Sequence, residues 1–537
     1  MVPARSAKSG DTRARLALVI QRVASLHLGL RAGLAMVLGV ITALGFEPFA
    51  WWPLLLPGVA GLSLCVLGTG RWWQAVLLGY AYGLGFMGLG VNWMSAIFVE
   101  AMVGLVGFTA LFYAGLGAFL YAIRQLSWWP LAAATAWTLA EAIYSRFPFG
   151  GFGWMRVGYA LVDSPFAGLY PLVGVVGIGF AVCLVAQLLL WPAAGATRQQ
   201  LIGAAATLMA LLGLSSLGMA WPAGTPGETV DVGWVQGGAP GGGVYGLGTP
   251  RTLPRNHLAE TTRLAERVTA GELPQPAFVI WPENSTDMDA TTDAQTTALV
   301  EAALAQVGVP ILVGTILDGP GQDERQTASL WWDPTQGILT SYVKRGIVPF
   351  GEWVPLRPIL LPLIPNLAYV GAQSIAGNEP GVLDVDAAGQ PLKLGVMICY
   401  DVSFDEISSD TVRYGGEILV VQSSNAMYQG TGQITQQFAI TRARAAELRR
   451  EILVVTTSGV SGLITADGSV DFQISHPQAA SGVVQLPRRT GLTPALWVAP
   501  VIEAAAAAAA LWLALAAGGR RLRRRAAASA TLSRAEE

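Results

Sequence analysis

The chain has 537 residues, of which 53% are hydrophobic and 13% are charged. Soluble proteins usually carry about 25% charged residues, so this deficit, with a mean hydropathy of +0.48, indicates a membrane protein. The net charge of -2 gives no reason to expect nucleic acid as a partner, and the three cysteines and three histidines lie too far apart for a disulfide framework or a metal-binding motif.

Apolar residues are distributed unevenly along the chain. Residues 28–221 are almost continuously hydrophobic, residues 226–490 have the composition of a soluble domain, and the end is apolar again. A transmembrane helix needs roughly 20 apolar residues. We therefore predict a seven-helix membrane domain at 28–221, a soluble domain at 226–490 and an eighth helix at 492–517. The predicted spans are 28–45, 51–68, 72–94, 98–123, 127–144, 166–191, 201–221 and 492–517.

Basic residues near the predicted spans indicate their orientation, because Lys and Arg are enriched on the cytoplasmic side. The tail 1–27 and the tail 518–537, which contains "RRLRRR", are both basic, and an even number of spans places both in the cytoplasm. The soluble domain then lies outside the cytoplasm. The other basic residues that agree with this orientation are Arg31, Arg71, Arg124 and Arg198, and the exceptions are Arg146 and Arg156.

These two exceptions belong to the predicted outer loop "RFPFGGFGWMRVGYA", which is rich in glycine and aromatic residues. Such a composition is typical of an aromatic belt at the membrane interface. A second hypothesis is that the loop binds a lipid headgroup and acyl chain beneath the soluble domain.

In the soluble domain, short β-branched runs alternate with helical stretches, which predicts an α/β domain. Three predicted strands end at a reactive side chain: Glu283 after "FVIWP", Lys344 in "SYVKR" and Cys399 after "GVMI". Taken alone, each residue has an ordinary interpretation: Glu283 as a loop carboxylate, Lys344 as a solvated lysine and Cys399 as a core thiol. Cys65 and Cys183, in predicted spans, are expected to be packing residues.

Together, the three residues predict nucleophilic catalysis. A thiol must become a thiolate to attack a carbonyl, so it needs a base or a nearby cation. His257 and His476 lie in unremarkable surroundings, but a glutamate can take the proton and a lysine can stabilise an oxyanion and help lower the thiol pKa. Glu352, in "PFGEWVP", supplies a second carboxylate near Lys344 in the sequence.

The segments "VIWPENS", "YVKRGIVPFGEWVPLR" and "LGVMICYDVSFDEI" resemble the Glu-Lys-Cys motifs of the nitrilase superfamily. With the predicted spans and the membrane motifs "GFEPFAWWPL" and "PFGGFGWMRVGYA", nearly the whole chain resembles the apolipoprotein N-acyltransferase family. "WVQGGAP" is similar to the first strand of its nitrilase domain. The alanine- and arginine-rich sequence and the segment "PENSTD" suggest an actinobacterial source.

The resemblance implies an αββα catalytic domain on the outer face of the bacterial inner membrane. It assigns Glu283 as general base, Lys344 as oxyanion stabiliser and Cys399 as nucleophile, with Glu352 and Tyr400 in support. Asp401 stands where the family usually has glutamate, which places the length of this side chain in question. Gly238 stands where the family motif "VQGN" has asparagine.

The implied reaction is a ping-pong acyl transfer from a glycerophospholipid, through a thioester, to the amine of a diacylated apolipoprotein, with no cofactor and no metal. We expect a monomer. The apolar, proline-rich segment "LRPILLPLIPNLAYVGAQS" is interpreted as an arm on the membrane, in which Leu360, Leu361, Leu363 and Ile364 enter the outer leaflet. The alternative is a packing loop.

Two other functions stay open. A membrane-tethered nitrilase-like amidase would use the same three residues, with water as acceptor. A transporter or receptor with an extracellular sensor domain is disfavoured, because few charges lie at membrane depth and no internal repeat is visible.

Overall fold

The computed structural model describes residues 18–224 and 226–513. After a short helical segment at 18–25, one apolar helix overlaps each of the eight predicted spans. The first seven, α1 to α7, are Leu28–Ala43, Leu55–Leu67, Trp72–Gly90, Val99–Ile123, Trp129–Tyr144, Tyr170–Leu190 and Arg198–Met219, and the last is Ala495–Leu513. The predicted tail 518–537 and most of the tail 1–27 lie outside the described residues.

Within the described ranges, four helices are long and apolar enough to cross a membrane: Val99–Ile123, Ala167–Ala194, Arg198–Met219 and Ala495–Leu513. Leu28–Ala43 and Trp52–Leu67 form shorter apolar helices. The structure therefore contains a helical membrane domain, and the count of eight spans stays a prediction.

Small residues let the membrane helices approach closely. A Cβ atom added to Gly39 in α1 would lie 2.1 Å from the carbonyl oxygen of Tyr82 in α3, and one added to Gly85 would lie 2.0 Å from that of Met36. Helix α6 is interrupted at Gly174, whose φ is 68°. Cys65 and Cys183 are buried among these helices, as expected for packing residues.

The soluble domain contains two mixed β-sheets. The first has the strand order β13-β1-β2-β3-β4-β5, with β6 paired to β4, and the second has the order β12-β11-β10-β9-β8-β7. The strands β1 to β13 are Pro226–Gln236, Phe278–Ile280, Ile311–Asp318, Glu324–Asp333, Gly337–Val343, Gln373–Ser374, Val382–Ala387, Gln390–Ile398, Ile418–Ser423, Ile452–Thr456, Ser461–Ile464, Val470–Ile474 and Ala480–Arg489.

Helices cover both outer faces of the stacked sheets. The helices of this domain, α8 to α12, are Thr252–Thr269, Ala294–Val307, Arg357–Leu363, Asp405–Arg413 and Gln433–Leu448, so that the last apolar helix is α13. One apolar core lies between the sheets and a second between the first sheet and α8 and α9. Residues of α11, α12 and the second sheet share a core with the membrane domain. The predicted αββα layering of a nitrilase-like domain is thus present.

A buried side chain of α12 joins the soluble domain to the membrane domain. The Gln436 amide oxygen accepts hydrogen bonds from the indole nitrogens of Trp93, at 2.9 Å, and Trp154, at 2.8 Å. Its amide nitrogen donates to the backbone carbonyls of Glu47, at 2.8 Å, and Gly90, at 2.9 Å. All hydrogen-bonding capacity of this amide is therefore used at the contact between the two domains.

Candidate active site

Three loops that follow strands bring the predicted reactive residues together. Glu283 lies just beyond β2, Lys344 directly follows β5, and Cys399 directly follows β8. The Lys344 ammonium donates to Glu283 Oε1 at 2.9 Å and to Glu352 Oε1 at 2.8 Å. A cation between two carboxylates therefore lies where strands of both sheets end.

Lys344 is charged although its side chain is only 1% exposed. Burial acts to lower the pKa of its ammonium, but the negative groups around it, led by Glu283 and Glu352, raise that pKa well above its ordinary value. The site therefore holds a permanent positive charge next to the thiol, as oxyanion stabilisation requires.

Backbone N–H groups orient both carboxylates. The second oxygen of Glu283 accepts from the amide of Ser424, after β9, at 2.9 Å. The second oxygen of Glu352 accepts from the amide of Val348 at 2.8 Å. Each carboxylate is thus held from both sides, with one oxygen on Lys344 and the other on the main chain.

Cys399 is half-buried and begins a short turn, Cys399–Ser403, which we call the Cys399 turn. Its φ of 51° is a left-handed value that non-glycine residues rarely adopt, and such strain persists only where surrounding structure enforces it. Burial of the thiol and the Glu283 carboxylate raise its pKa well above the ordinary value, and Lys344 only partly opposes them. The resting nucleophile is a neutral thiol, so the expected lowering of its pKa by Lys344 is outweighed, and a base is required.

Glu283 is the candidate for that base, because its carboxylate lies close enough to Cys399 to raise the pKa of the thiol. The carboxylate is 3% exposed, which keeps competing water away from it. Glu283, Lys344 and Glu352 therefore form one contacting set, and Cys399 lies close enough for their charges to act on the pKa of its thiol.

Tyr400 points away from this set and toward the outer loop of the membrane domain. Its ring stacks on Trp154 at 5.9 Å and on Phe152 at 6.5 Å, and its hydroxyl donates to the carbonyl of Gly151 at 3.4 Å. Tyr400 therefore joins the Cys399 turn to the membrane domain, and its supporting role in catalysis stays a prediction.

Asp401 supports the site from beneath and is fully buried. One carboxylate oxygen accepts from the amide of Ile398 and the hydroxyl of Tyr342, both at 2.9 Å, and the other accepts from the amide of Gly346 at 2.7 Å. A Cβ at Gly346 would lie 2.8 Å from Asp401, so the close backbone of this glycine compensates for the short side chain. Asp401 thereby connects the Cys399 turn to the loop that follows Lys344.

Gly238, the second departure from the family motif, has a φ of 79° and donates its amide to the carbonyl of Thr457 at 2.9 Å. Glycine and asparagine are the two residues that adopt positive φ most readily, so the backbone conformation accommodates either one.

The outer loop divides into an exposed and a buried part. Phe147 and Phe149 are exposed, as an aromatic belt requires, and Arg146 is 44% exposed while it pairs with Glu503 of α13 at 2.8 Å. Arg156 is 2% exposed and binds Asp405, so it does not face lipid. The guanidinium of Arg156 is already bound by a protein carboxylate, and the hypothesis that the loop binds a lipid headgroup and acyl chain stays a prediction.

The predicted arm folds as α10 followed by a turn, Pro365–Val370. Leu363 is 71% exposed and Ile364 38% exposed, whereas Leu360 and Leu361 pack on a small cluster inside the arm. Leu360 and Leu361 are thus only partly exposed, and the insertion of the four residues into the leaflet stays a prediction. Ile359, which the sequence analysis did not select, is 62% exposed beside Leu363.

Comparison with known proteins identifies both halves of the chain. Residues 38–188 match the model of the apolipoprotein N-acyltransferase N-terminal domain, and residues 268–483 match that of carbon-nitrogen hydrolases. The apolipoprotein N-acyltransferase of Mycolicibacterium smegmatis is 33% identical over 90% of this chain and 84% of its own, which is consistent with the expected actinobacterial source. That of Methylococcus capsulatus is 29% identical over 86% of this chain and 92% of its own.

Among solved structures, an amidase of the nitrilase superfamily from Nesterenkonia aligns with 51% of this chain and 95% of its own, at 16% identity and a TM-score of 0.36. The family assignment rests on the two family models and the curated relatives, and this structural similarity is not used for it. The chain belongs to the apolipoprotein N-acyltransferase family.

Proposed function

We propose that this chain transfers an acyl group from a glycerophospholipid, through a thioester on Cys399, to the N-terminal amine of a diacylglyceryl-cysteine on an apolipoprotein. The observation that carries this proposal is that Glu283, Lys344 and Cys399 follow strand ends of one domain, with the Lys344 ammonium on Glu283, in a chain of this family that also has long apolar helices. No cofactor is required, since acid-base and nucleophilic steps suffice.

In the first half-reaction, Glu283 takes the thiol proton and the Cys399 sulfur attacks the ester carbonyl carbon. The new carbon–sulfur bond leaves a tetrahedral oxyanion, which the Lys344 ammonium and backbone N–H groups stabilise. The carbon–oxygen bond of the ester then breaks, and the proton held by Glu283 passes to the departing lysophospholipid oxygen.

In the second half-reaction, the α-amine of the lipoprotein attacks the thioester carbonyl. Glu283 removes a proton from the amine, the carbon–sulfur bond breaks, and the proton returns to the sulfur as Cys399 is released. The products are an amide and the resting thiol. Glu352 holds Lys344 independently of Glu283, since the ammonium also donates to Glu352 Oε1 at 2.8 Å.

The proposed topology has eight spans, cytoplasmic tails and the catalytic domain outside the cytoplasm, at 226–490 between the seventh and eighth helices. Exposed tryptophans support it, because indole rings concentrate at both membrane interfaces. Trp51 and Trp497 are exposed at helix ends on the catalytic side, and Trp72, Trp128 and Trp512 at the opposite ends. The exposed apolar residues of the arm would then meet the outer leaflet, where the acyl chain can enter without crossing water.

An amidase or hydrolase would use the same chemistry with water as acceptor, and the carbon-nitrogen hydrolase match is compatible with it. The two functions differ in the fate of the acyl group. A transferase passes it to an amine, and a hydrolase releases free fatty acid.

Intact mass spectrometry of the full-length chain, incubated with one defined phospholipid, tests the proposal. We expect a single acyl mass on the parent chain, none on Cys399→Ala, and discharge of the adduct by a diacylated lipopeptide with formation of an amide. Release of free fatty acid without amide formation would favour the hydrolase, and an adduct on Cys399→Ala would contradict the assigned nucleophile.

A further inference from the structure

Two arginines from different domains bind the outer side of the chain segment that begins at Cys399. Arg156, in the outer loop of the membrane domain, donates to both oxygens of Asp405 at 2.8 Å. Arg444, in α12, donates to the same carboxylate at 2.7 Å and to the carbonyl of Val402 at 2.8 Å. Val402 and Asp405 are three and six residues beyond Cys399. The two arginines therefore bind the segment that directly follows the candidate nucleophile.

These charges are buried where the two domains meet. The side chains of Arg156 and Arg444 are 2% and 0% exposed. Burial acts to raise the pKa of Asp405, but the two guanidinium groups hold that pKa well below its usual range. The two buried guanidinium groups and the Asp405 carboxylate, which is 20% exposed, therefore all stay ionised.

Stability alone does not account for such an arrangement, because well-packed apolar residues are often as stable as a buried ion pair. Apolar contacts, however, are not directional and do not fix the position of a particular polar group. A guanidinium offers five N–H donors in a rigid planar fork, so it fixes the position of each acceptor that it binds. Arg444 uses this fork to bind groups of both domains at once.

The further contacts of Arg444 extend into the membrane domain. It donates to the Tyr159 hydroxyl at 2.8 Å, and this hydroxyl donates to the carbonyl of Ser403 at 3.1 Å. It also binds Glu447, whose other oxygen accepts from the amide of Val175 at 3.0 Å, at the interruption in α6. The Cys399 turn is thus tied to the outer loop and to a membrane helix.

The Cys399 turn is the part of the active site whose position most needs such support. Glu283 and Lys344 follow strands of the first sheet, whereas Cys399 follows a strand of the second. The strained φ of Cys399 also requires surrounding structure to maintain it. The alignment of thiol, base and cation therefore depends on how the turn is held.

We propose that Arg156 and Arg444 are positioning residues that hold Asp405 and Val402, and through them set the placement of Cys399 against Glu283 and Lys344. The membrane domain then contributes to the rate of chemistry as well as to lipid access. This inference rests on the proposed function, because the rate concerned is that of Cys399 acylation.

The chain offers a matched control on the same helix. Arg442, two residues before Arg444 in α12, donates to both oxygens of Asp163 in the membrane domain, at 2.9 and 2.7 Å. This pair also joins the two domains, but Asp163 is 67% exposed and none of the contacts of either side chain reaches the Cys399 turn. Asp163→Asn therefore removes an ion pair between domains without disturbing the nucleophile.

The test is single-turnover acylation of the full-length chain by a defined phospholipid, followed by intact mass. The rate constant reports the placement of Cys399, while the amplitude reports the fraction of folded enzyme. We expect Arg156→Met to lower the rate constant by about 100-fold, as for a misplacement of about 1 Å, and Arg156→Lys, which keeps the charge but loses the fork, by about tenfold. Asp163→Asn should stay within about twofold of the parent, since an exposed pair contributes little.

Rate constants for Arg156→Met or Arg156→Lys that equal the parent value would overturn the inference, as would losses of amplitude alone. If Arg156→Met does not fold, the acylation rate constant of Arg156→Lys alone tests the positioning role. A parent chain that forms no acyl-enzyme would contradict the proposed function instead. The rate constant for alkylation of Cys399 by iodoacetamide then tests positioning separately: Arg156→Lys must change it and Asp163→Asn must not, with Cys399→Ala as the blank.

Discussion

Replacement of Lys344 by methionine removes the charge at the centre of the site and keeps an unbranched side chain of similar length. The lost ammonium lies 2.9 Å from Glu283 and 2.8 Å from Glu352. At an effective dielectric constant of about 20, each contact corresponds to roughly 6 kcal/mol of Coulomb attraction, and breaking a buried pair by removal of one partner costs about 3–5 kcal/mol net. The variant therefore leaves two buried carboxylates without their shared cation.

Two losses then act on the acylation rate. Removal of an oxyanion donor lowers the rate by about 100- to 1,000-fold, and Glu283 loses the ammonium contact that orients one of its oxygens. We expect single-turnover acylation of Lys344→Met, followed by intact mass, to be slower than that of the parent by about 1,000-fold or more. Thermal unfolding of the same sample would show that the protein is folded.

The matched control is Lys393→Met. Lys393 pairs with Asp384 at 2.6 Å, but the two side chains are 46% and 79% exposed, and solvent screens such a pair. This variant should acylate at the parent rate. An acylation rate for folded Lys344→Met within tenfold of the parent would refute the assignment of Lys344 as the oxyanion stabiliser.

Three further outcomes are expected. Asp401→Asn loses one or more charge-assisted hydrogen bonds in a fully buried site and should lower the free energy of unfolding by about 1.5–3 kcal/mol; an unchanged denaturant midpoint would contradict this. Because the pKa of Cys399 is raised, its alkylation by iodoacetamide at pH 8 should be slower than that of free cysteine and should still increase above pH 9, whereas a plateau below pH 8 would be inconsistent with the site. Ile359→Ser with Leu363→Ser should slow acylation from liposomes and leave alkylation of Cys399 unchanged, because both side chains are exposed on the arm; equal rates in liposomes would exclude a membrane contact there.

The sequence was sufficient to locate the reactive residues, because each of them interrupts an apolar strand pattern with a charged or nucleophilic side chain. Their convergence was not visible in the pattern itself. Glu283 and Cys399 follow strands of different sheets, so the prediction that they act together came from the chemistry of the side chains and from the resemblance to a known family.

What the sequence could not supply were contacts between distant segments. Arg156 and Asp405 are 249 positions apart, and an arginine in a glycine- and aromatic-rich loop gives the same signal whether it faces lipid or protein. Likewise, the short side chain of Asp401 suggested a deficiency. The compensating approach of the Gly346 backbone is a property of the tertiary structure alone.

The arm shows the same limit at short range. Its helix has seven residues and contains Pro362, so it is too short for hydrophobic periodicity to tell its inner face from its outer face. Leu360 and Leu361 were therefore grouped with Leu363, although in the structure they are half-buried against a small cluster within the arm and Leu363 is exposed.

The left-handed backbone at Cys399 has a consequence for how related sequences can diverge. Holding a residue with a Cβ in this conformation costs about 1–3 kcal/mol, which the fold bears at every copy of the protein. Once selection for the thiol ends, glycine or asparagine at this position would relieve that cost and make the protein more stable. A related chain with Gly or Asn at this position and the surrounding framework retained would therefore be one that has lost acyl transfer. We expect its free energy of unfolding to exceed that of its active relatives.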